Sequence, residues 1–234
     1  MSESTYTQLL DLACGAFLLT AVVVLWRREL TVIVRVFAFQ GVALAAIAAL
    51  LGIHEERWDL VAVAAGIGVL RAGVLPLLMR RAITAADHPP VRPGRHYDDD
   101  TTESRETEPL VNVAASLLVA AALTLLAYAV ARPLVQLDPT PATRALPVGL
   151  AVVLIGFLTL VTRRRAVSQV VGLLLLDNGI TAVSFLATSG VPLIVELGVS
   201  FDVLLAVVVL QILTTRMRAA FGDTDIDDLR ELRD

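Results

Sequence analysis

Hydrophobic positions along this chain fall in long blocks rather than in alternation. Seven runs of helix length, approximately 8–26, 30–53, 59–79, 110–131, 145–162, 167–188 and 192–214, are separated by segments that hold most of the charge. A helix rises about 1.5 Å per residue, so about twenty apolar residues cross the roughly 30 Å hydrocarbon core of a bilayer. The pattern predicts an all-α integral membrane protein with about seven transmembrane helices. The first fifteen residues lack the basic region and small-residue cleavage site of a signal peptide, so Leu9 to Trp26 reads as a retained span.

Composition agrees with the pattern. Of 234 residues 56% are hydrophobic and 18% charged, with a mean hydropathy of +0.75, far too apolar for a soluble domain of this size. Every basic residue is arginine. One set of loops and flanks holds Arg27, Arg28, Arg80, Arg81, Arg92, Arg95, Arg105, Arg163 to Arg165, Arg216, Arg218, Arg230 and Arg233, against only Arg57, Arg132 and Arg144 on the other side. The positive-inside rule then puts the N-terminus outside and the C-terminus in the cytoplasm, as an odd number of spans requires. The expected location is the plasma membrane of a prokaryote.

The net charge of −4 comes largely from two polar segments, Asp98 to Glu108 and Asp223 to Asp234, and gives no reason to expect nucleic acid as a partner. Cys14, the single cysteine, sits in the first span and reads as packing. His54, His88 and His96 fall in predicted loops without metal-site spacing, and there is no CxxC or nucleotide motif. No metal and no cofactor is expected in this chain.

The organisation read from these runs is a three-span unit over 1–81, a mobile cytoplasmic loop over 82–109, an additional span over 110–131, a second three-span unit over 132–218 and a tail helix over 219–234. In the tail, Ile226, Leu229 and Leu232 share one face. The two triplets have the same vectorial layout, with Gln40 and Asp177 about twelve positions beyond their arginine clusters, although their identity is too weak to establish a repeat. Gly41, Ala45 and Ala49, and the small residues from Ala62 to Gly68, predict faces that pack on protein.

Three spans contain ionisable residues away from their ends. By helix rise, Asp177 and Asp202 lie roughly 15 Å deep and Arg71 roughly 18 Å deep, near the midplane. Glu196 is one turn inside its boundary, and Arg35 is close enough to its end to snorkel. An arginine with two aspartates makes a charge-compensated cluster. Burial favours the neutral acid and a nearby arginine favours the carboxylate, so one aspartate is expected to stay charged while another exchanges a proton. The competing expectation is a polar seam that only fixes the register of neighbouring subunits. Gln40, Asn178, Gln169 and Gln211 are candidate polar support along such a path. Pro76 is expected to kink the third span beside Arg71.

Three segments carry a family resemblance: Ser168-Gln169-Val170-Val171-Gly172-Leu173-Leu174-Leu175-Leu176-Asp177-Asn178-Gly179, then Pro192 to Leu204 with Glu196 and Asp202, and Asp225 to Leu232. Together they resemble the hydrogenase-4 component E family, membrane subunits of group 4 nickel-iron hydrogenase and formate hydrogenlyase-type complexes. The resemblance is strong over the last seventy residues and extends to the rest in layout. The C-terminal unit is also similar to the K subunit of respiratory complex I and the C subunit of Mrp-type cation/proton antiporters. The resemblance implies a non-catalytic subunit that couples redox chemistry to proton (or sodium) translocation, with Asp177, Glu196 and Asp202 as relay carboxylates. It implies antiporter-like membrane partners and peripheral iron-sulfur and nickel-iron-type subunits. Arg71 stands where the family usually has lysine, and Asp177 where it commonly has glutamate; arginine biases neighbouring carboxylates but cannot release its proton. Two alternatives stay open: an Mrp-type antiporter subunit without a redox partner, and a structural scaffold subunit.

Overall fold

The computed structural model describes residues 2–27, 29–87, 112–163 and 166–188, and all regular structure among them is helical. The helices are α1 (Glu3–Trp26), α2 (Leu30–His54), α3 (Trp58–Ile67), a π-helical segment (Gly68–Val74), α4 (Leu75–Asp87), α5 (Val113–Leu137), α6 (Pro141–Thr162) and α7 (Ala166–Thr188). Helix α3, the π segment and α4 follow one another without a gap and supply one span, Trp58–Arg81. Among the described residues, six helices are therefore long and apolar enough to cross a membrane. The seventh expected span, 192–214, lies outside the described residues, as do most of the 82–109 loop and the whole 219–234 tail.

Boundaries differ from expectation where caps and prolines decide them. Helix α5 begins after Asn112, whose side chain accepts from the Ala114 N–H, and runs on to Leu137, past the expected end at 131. Helix α6 begins at Pro141, not 145. Thr140 and Thr143 there form a reciprocal capping box, and proline at the first position loses no hydrogen bond. Arg132 and Arg144, expected between spans, consequently sit inside helices. Around Pro76, where a kink is expected, the helix changes its hydrogen-bonding pattern. The chain widens into the π segment just before the proline, closing it with Leu75 N–H donating to the Leu70 carbonyl, and stays helical beyond it.

Packing is densest where side chains vanish. Helices α6 and α7 present glycines to each other's backbone: Gly156 of α6 lies on Leu175 and Leu176, and Gly149 on Ala182 and Val183. In return, Gly172 of α7 lies on Thr159 and Leu160, and Gly179 on Val153. Each helix thus carries a pair of glycines seven residues apart, two turns, on its contact face. Helix α1 packs on α6 and α2 on α7, so the corresponding members of the two triplets meet. The apolar core they share includes Leu10, Phe17, Phe37, Leu44, Val152, Leu175 and Phe185. Cys14 is buried in it, as expected of a packing thiol.

Two contacts hold the ends. On one side, Arg163 is buried after α6 and its guanidinium donates to the carbonyls of Leu25 (3.0 Å), Val24 and Arg27 (both 3.4 Å) at the end of α1. Helix C-termini attract cations because their last carbonyls lack helical partners. An arginine counted above among the loop cations is thus a helix cap. On the other side, His54 is the last residue of α2 rather than a loop residue and stacks on Tyr6 of α1, with ring centroids 3.8 Å apart and planes 5° from parallel.

Candidate functional site: a buried ion pair between the two triplets

The π segment places Arg71 midway along its span with its side chain only 2% exposed. A guanidinium cannot shed its charge there, so it needs acceptors. Helix α7 supplies three within one turn. Nη1 donates to Asn178 Oδ1 at 2.5 Å, Nη2 donates to Thr181 Oγ1 at 3.0 Å, and Nη2 lies 2.9 Å from Asp177 Oδ2. Asp177 and Thr181 are four residues apart and so stack on one helix face. The aspartate is the less buried partner, with 13% of its side chain exposed.

The ion pair continues into α2 through two amides whose orientation the arginine dictates. Arg71 has only donors, so Asn178 must turn its oxygen to it and its amino group away. Asn178 Nδ2 then donates to Gln40 Oε1 at 3.0 Å. That leaves Gln40 Nε2, buried and without a hydrogen-bond partner among the described residues, as the far end of the chain of contacts. The resulting array, Asp177 to Arg71 to Asn178 to Gln40, joins α7, the π segment and α2, with Thr181 as a branch.

Backbone contact between α2 and the π segment fixes the arginine's position. Gly41, next to Gln40, lies against the Arg71–Ala72 peptide so closely that a Cβ would stand 2.8 Å from Arg71 C and Ala72 N. Ala45 meets Gly68 one turn away. The small-residue face predicted from Gly41 and Ala45 therefore packs on protein, against the helix that carries the charge.

Of the predicted site residues, Arg71, Asp177, Asn178 and Gln40 come together. Thr181 was missed, although its place one turn beyond Asp177 on a helix already marked by a buried acid is a usable signal. Gln169 is elsewhere: its Nε2 donates to the Arg163 carbonyl at 3.1 Å, tying α7 to the residue that follows α6. Glu196, Asp202 and Gln211 lie outside the described residues. Arg35 is exposed on the outer surface of α2. Among the described residues no group of three or more histidine, cysteine, aspartate or glutamate side chains is arranged to hold a metal ion.

No protein-family model and no solved structure matches the chain. It is 32% identical over 116 residues to hydrogenase-4 component E of Escherichia coli K12, an overlap covering 50% of this chain and 54% of that protein, and equally similar to the Shigella flexneri protein of the same name. The chain thus spans about half the length of these relatives. A more extensive likeness is to an uncharacterised protein of Mycobacterium tuberculosis, Rv0085, with 49% identity over 234 residues and 100% of both chains covered. By that full-length identity the chain belongs to the family of Rv0085.

Proposed function

We propose that this chain is a non-catalytic, multi-pass subunit of the membrane arm of a group 4 hydrogenase-like, complex I-related assembly, and that it helps couple redox chemistry to proton (or sodium) translocation. The observation that carries the reading is the Arg71–Asp177 pair, a buried charge pair at mid-span extended by Asn178 and Gln40 across three helices. Ionisable groups at that depth are costly, and they serve ion pathways more often than packing. Similarity to hydrogenase-4 component E over half the chain supports the type of assembly.

In this reading Asp177 exchanges the proton and Arg71 stays charged, holding the carboxylate in place and biasing it. Glu196 and Asp202 continue the relay along a seventh span, 192–214, and Gln211 supports it. Seven spans put the N-terminus outside and the C-terminus in the cytoplasm of a prokaryotic cell, in the plasma membrane. Antiporter-like subunits are the lateral partners. Hydrogen or formate chemistry, with its iron-sulfur and nickel-iron-type centres, belongs to peripheral subunits, and this chain binds no cofactor.

One feature favours a scaffold instead: Arg71 is so fully provided with acceptors that the array resembles a lock between helices. An Mrp-type antiporter subunit without a redox partner is the other alternative. Isolation of the tagged chain from its native membrane, followed by mass spectrometry of its companions and donor-driven proton uptake into vesicles, separates the three. Antiporter-like and redox subunits should come with it, and Asp177→Asn should abolish most proton uptake while electron transfer continues. Uptake undiminished in Asp177→Asn and in Asp202→Asn would leave only the scaffold. Antiporter subunits alone, with cation-dependent proton exchange and no electron donor, would replace the redox reading.

A further inference from the structure

At the end of the α5–α6 hairpin the two helices frame an open groove of about 530 Å³. Tyr128, Arg132 and Gln136 line it from α5, at i, i+4 and i+8 along one face. Arg144 and Pro147 line it from α6. The turn between them, held by the Thr140–Thr143 capping box, brings the two arginines to the same opening. Charge bookkeeping makes this pair unusual. The arginine-poor side of the chain has three arginines, and Arg57 there is neutralised by Asp59 at 2.7 Å. The other two, Arg132 and Arg144, share one groove, both exposed and neither paired with an acid among the described residues.

We propose that this groove binds the phosphate of an anionic phospholipid, clamped between Arg132 and Arg144, with Tyr128 beneath it. Depth fits a headgroup: Arg132 is roughly 8 Å inside the end of α5 and Arg144 roughly 5 Å inside the start of α6, by helix rise. Planar guanidinium forks match phosphate oxygens in pairs, and a tyrosine with an apolar ring and polar tip suits the interface. Below the groove, α5 is the least covered of the six spans. Leu125 and Leu118, 72% and 73% exposed, continue its outward surface toward the bilayer centre as a track for acyl chains. A soluble phosphate would use the same two arginines but not that track. The inference needs the helices to lie in a bilayer; it does not depend on the ion-relay reading.

The test uses the full chain, purified in mild detergent and stripped of lipid, with binding read by native mass spectrometry and by the rise in unfolding temperature. Phosphatidylglycerol and phosphatidylcholine of identical acyl chains are compared, with inorganic phosphate and glycerol 3-phosphate as soluble arms. Phosphatidylglycerol should bind more tightly than phosphatidylcholine, and the double variant Arg132→Gln/Arg144→Gln should lose that preference, weakening binding by about tenfold or more. The control Arg35→Gln, an exposed arginine elsewhere in the bundle, should keep it. Equal binding of the two lipids, or a double variant that still selects the anionic one, would overturn the assignment. Displacement of phosphatidylglycerol by either soluble phosphate at matched concentration would reassign the groove to a free anion.

Discussion

Gly41→Ala is the smallest change expected to disturb the ion pair without touching any of its members. The added Cβ would stand 2.8 Å from Arg71 C and Ala72 N, inside the 3.0 Å that real Cβ contacts respect, and ordinary contact begins at 3.4 Å. Both obstacles are backbone, so relief requires α2 and the π segment to part by about 0.6 Å, the difference between those two distances. Helix α2 also packs on α7, which holds Asp177, Asn178 and Thr181. The shift therefore falls between Arg71 and its acceptors, enough to take the 2.9 Å ion-pair contact toward 3.5 Å. Overpacking of this kind costs about 1–3 kcal/mol, and the better helix propensity of alanine returns up to about 1 kcal/mol. The net expectation is a loss of about 1–2 kcal/mol, or a fall of roughly 2–8 °C in apparent unfolding temperature for a chain of this size. Unfolding in detergent, followed through Trp26 and Trp58, measures it. Gly66→Ala is the matched control, because nothing lies within 4 Å of a Cβ at that position. A Gly41→Ala protein that melts with wild type, or above it as Gly66→Ala should, would refute the argument that Gly41 sets the arginine's position.

Gly156→Ala should cost more than Gly41→Ala, about 3 kcal/mol or beyond, since its Cβ would press on the Leu176 backbone with no flexible side chain to yield; the same melting assay reads it. Gln40→Leu and Asn178→Leu should differ although both break one amide contact. The first exchanges the unpartnered Gln40 Nε2 for an unpartnered Asn178 Nδ2 and should change stability by less than about 1 kcal/mol, whereas the second strips an acceptor from buried Arg71 and should cost about 3 kcal/mol or more. Equal losses would show that the amide chain is misassigned. Arg163→Gln removes the cation from three α1 carbonyls and should raise hydrogen exchange in the last turn of α1, by about tenfold, with little change at Arg71.

Hydropathy made the described spans legible because each is a block of apolar residues bounded by charge, a signal independent of how helices pack. It also singled out Arg71 and Asp177, since a charge at mid-span has few uses in a lipid-facing position. Gln40 and Asn178 could be named as polar support but not joined, because rotation about a helix axis and the pairing of helices are not encoded in depth. For the same reason Gln169 groups with them by sequence, although its side chain bonds the Arg163 carbonyl instead. The glycine pairs Gly149/Gly156 and Gly172/Gly179 stand at two-turn spacing in the sequence, a signal of close helix approach that does not name the partner; the structure shows α6 and α7 meeting backbone to backbone there. Arg163 shows the limit of counting charges: a cation beside a membrane helix can be spent on carbonyls of another helix. The π segment had no local signature beyond Pro76, because it answers packing against Gly41 as much as local preference.

The long reach of the Arg71 contacts has a consequence for biosynthesis. Asn178 follows Arg71 by 107 residues in the chain. At translation rates of about 5–20 residues per second, the guanidinium waits on the order of 5–20 s before its α7 acceptors have been made. During that interval the span from Trp58 to Arg81 must be inserted before its arginine can reach α7, and a mid-span arginine costs about 2.5–3.5 kcal/mol on the insertion scale. Its flanking valines, leucines and alanines, not the ion pair, carry it into the bilayer, and the arrival of α7 then locks the arginine there.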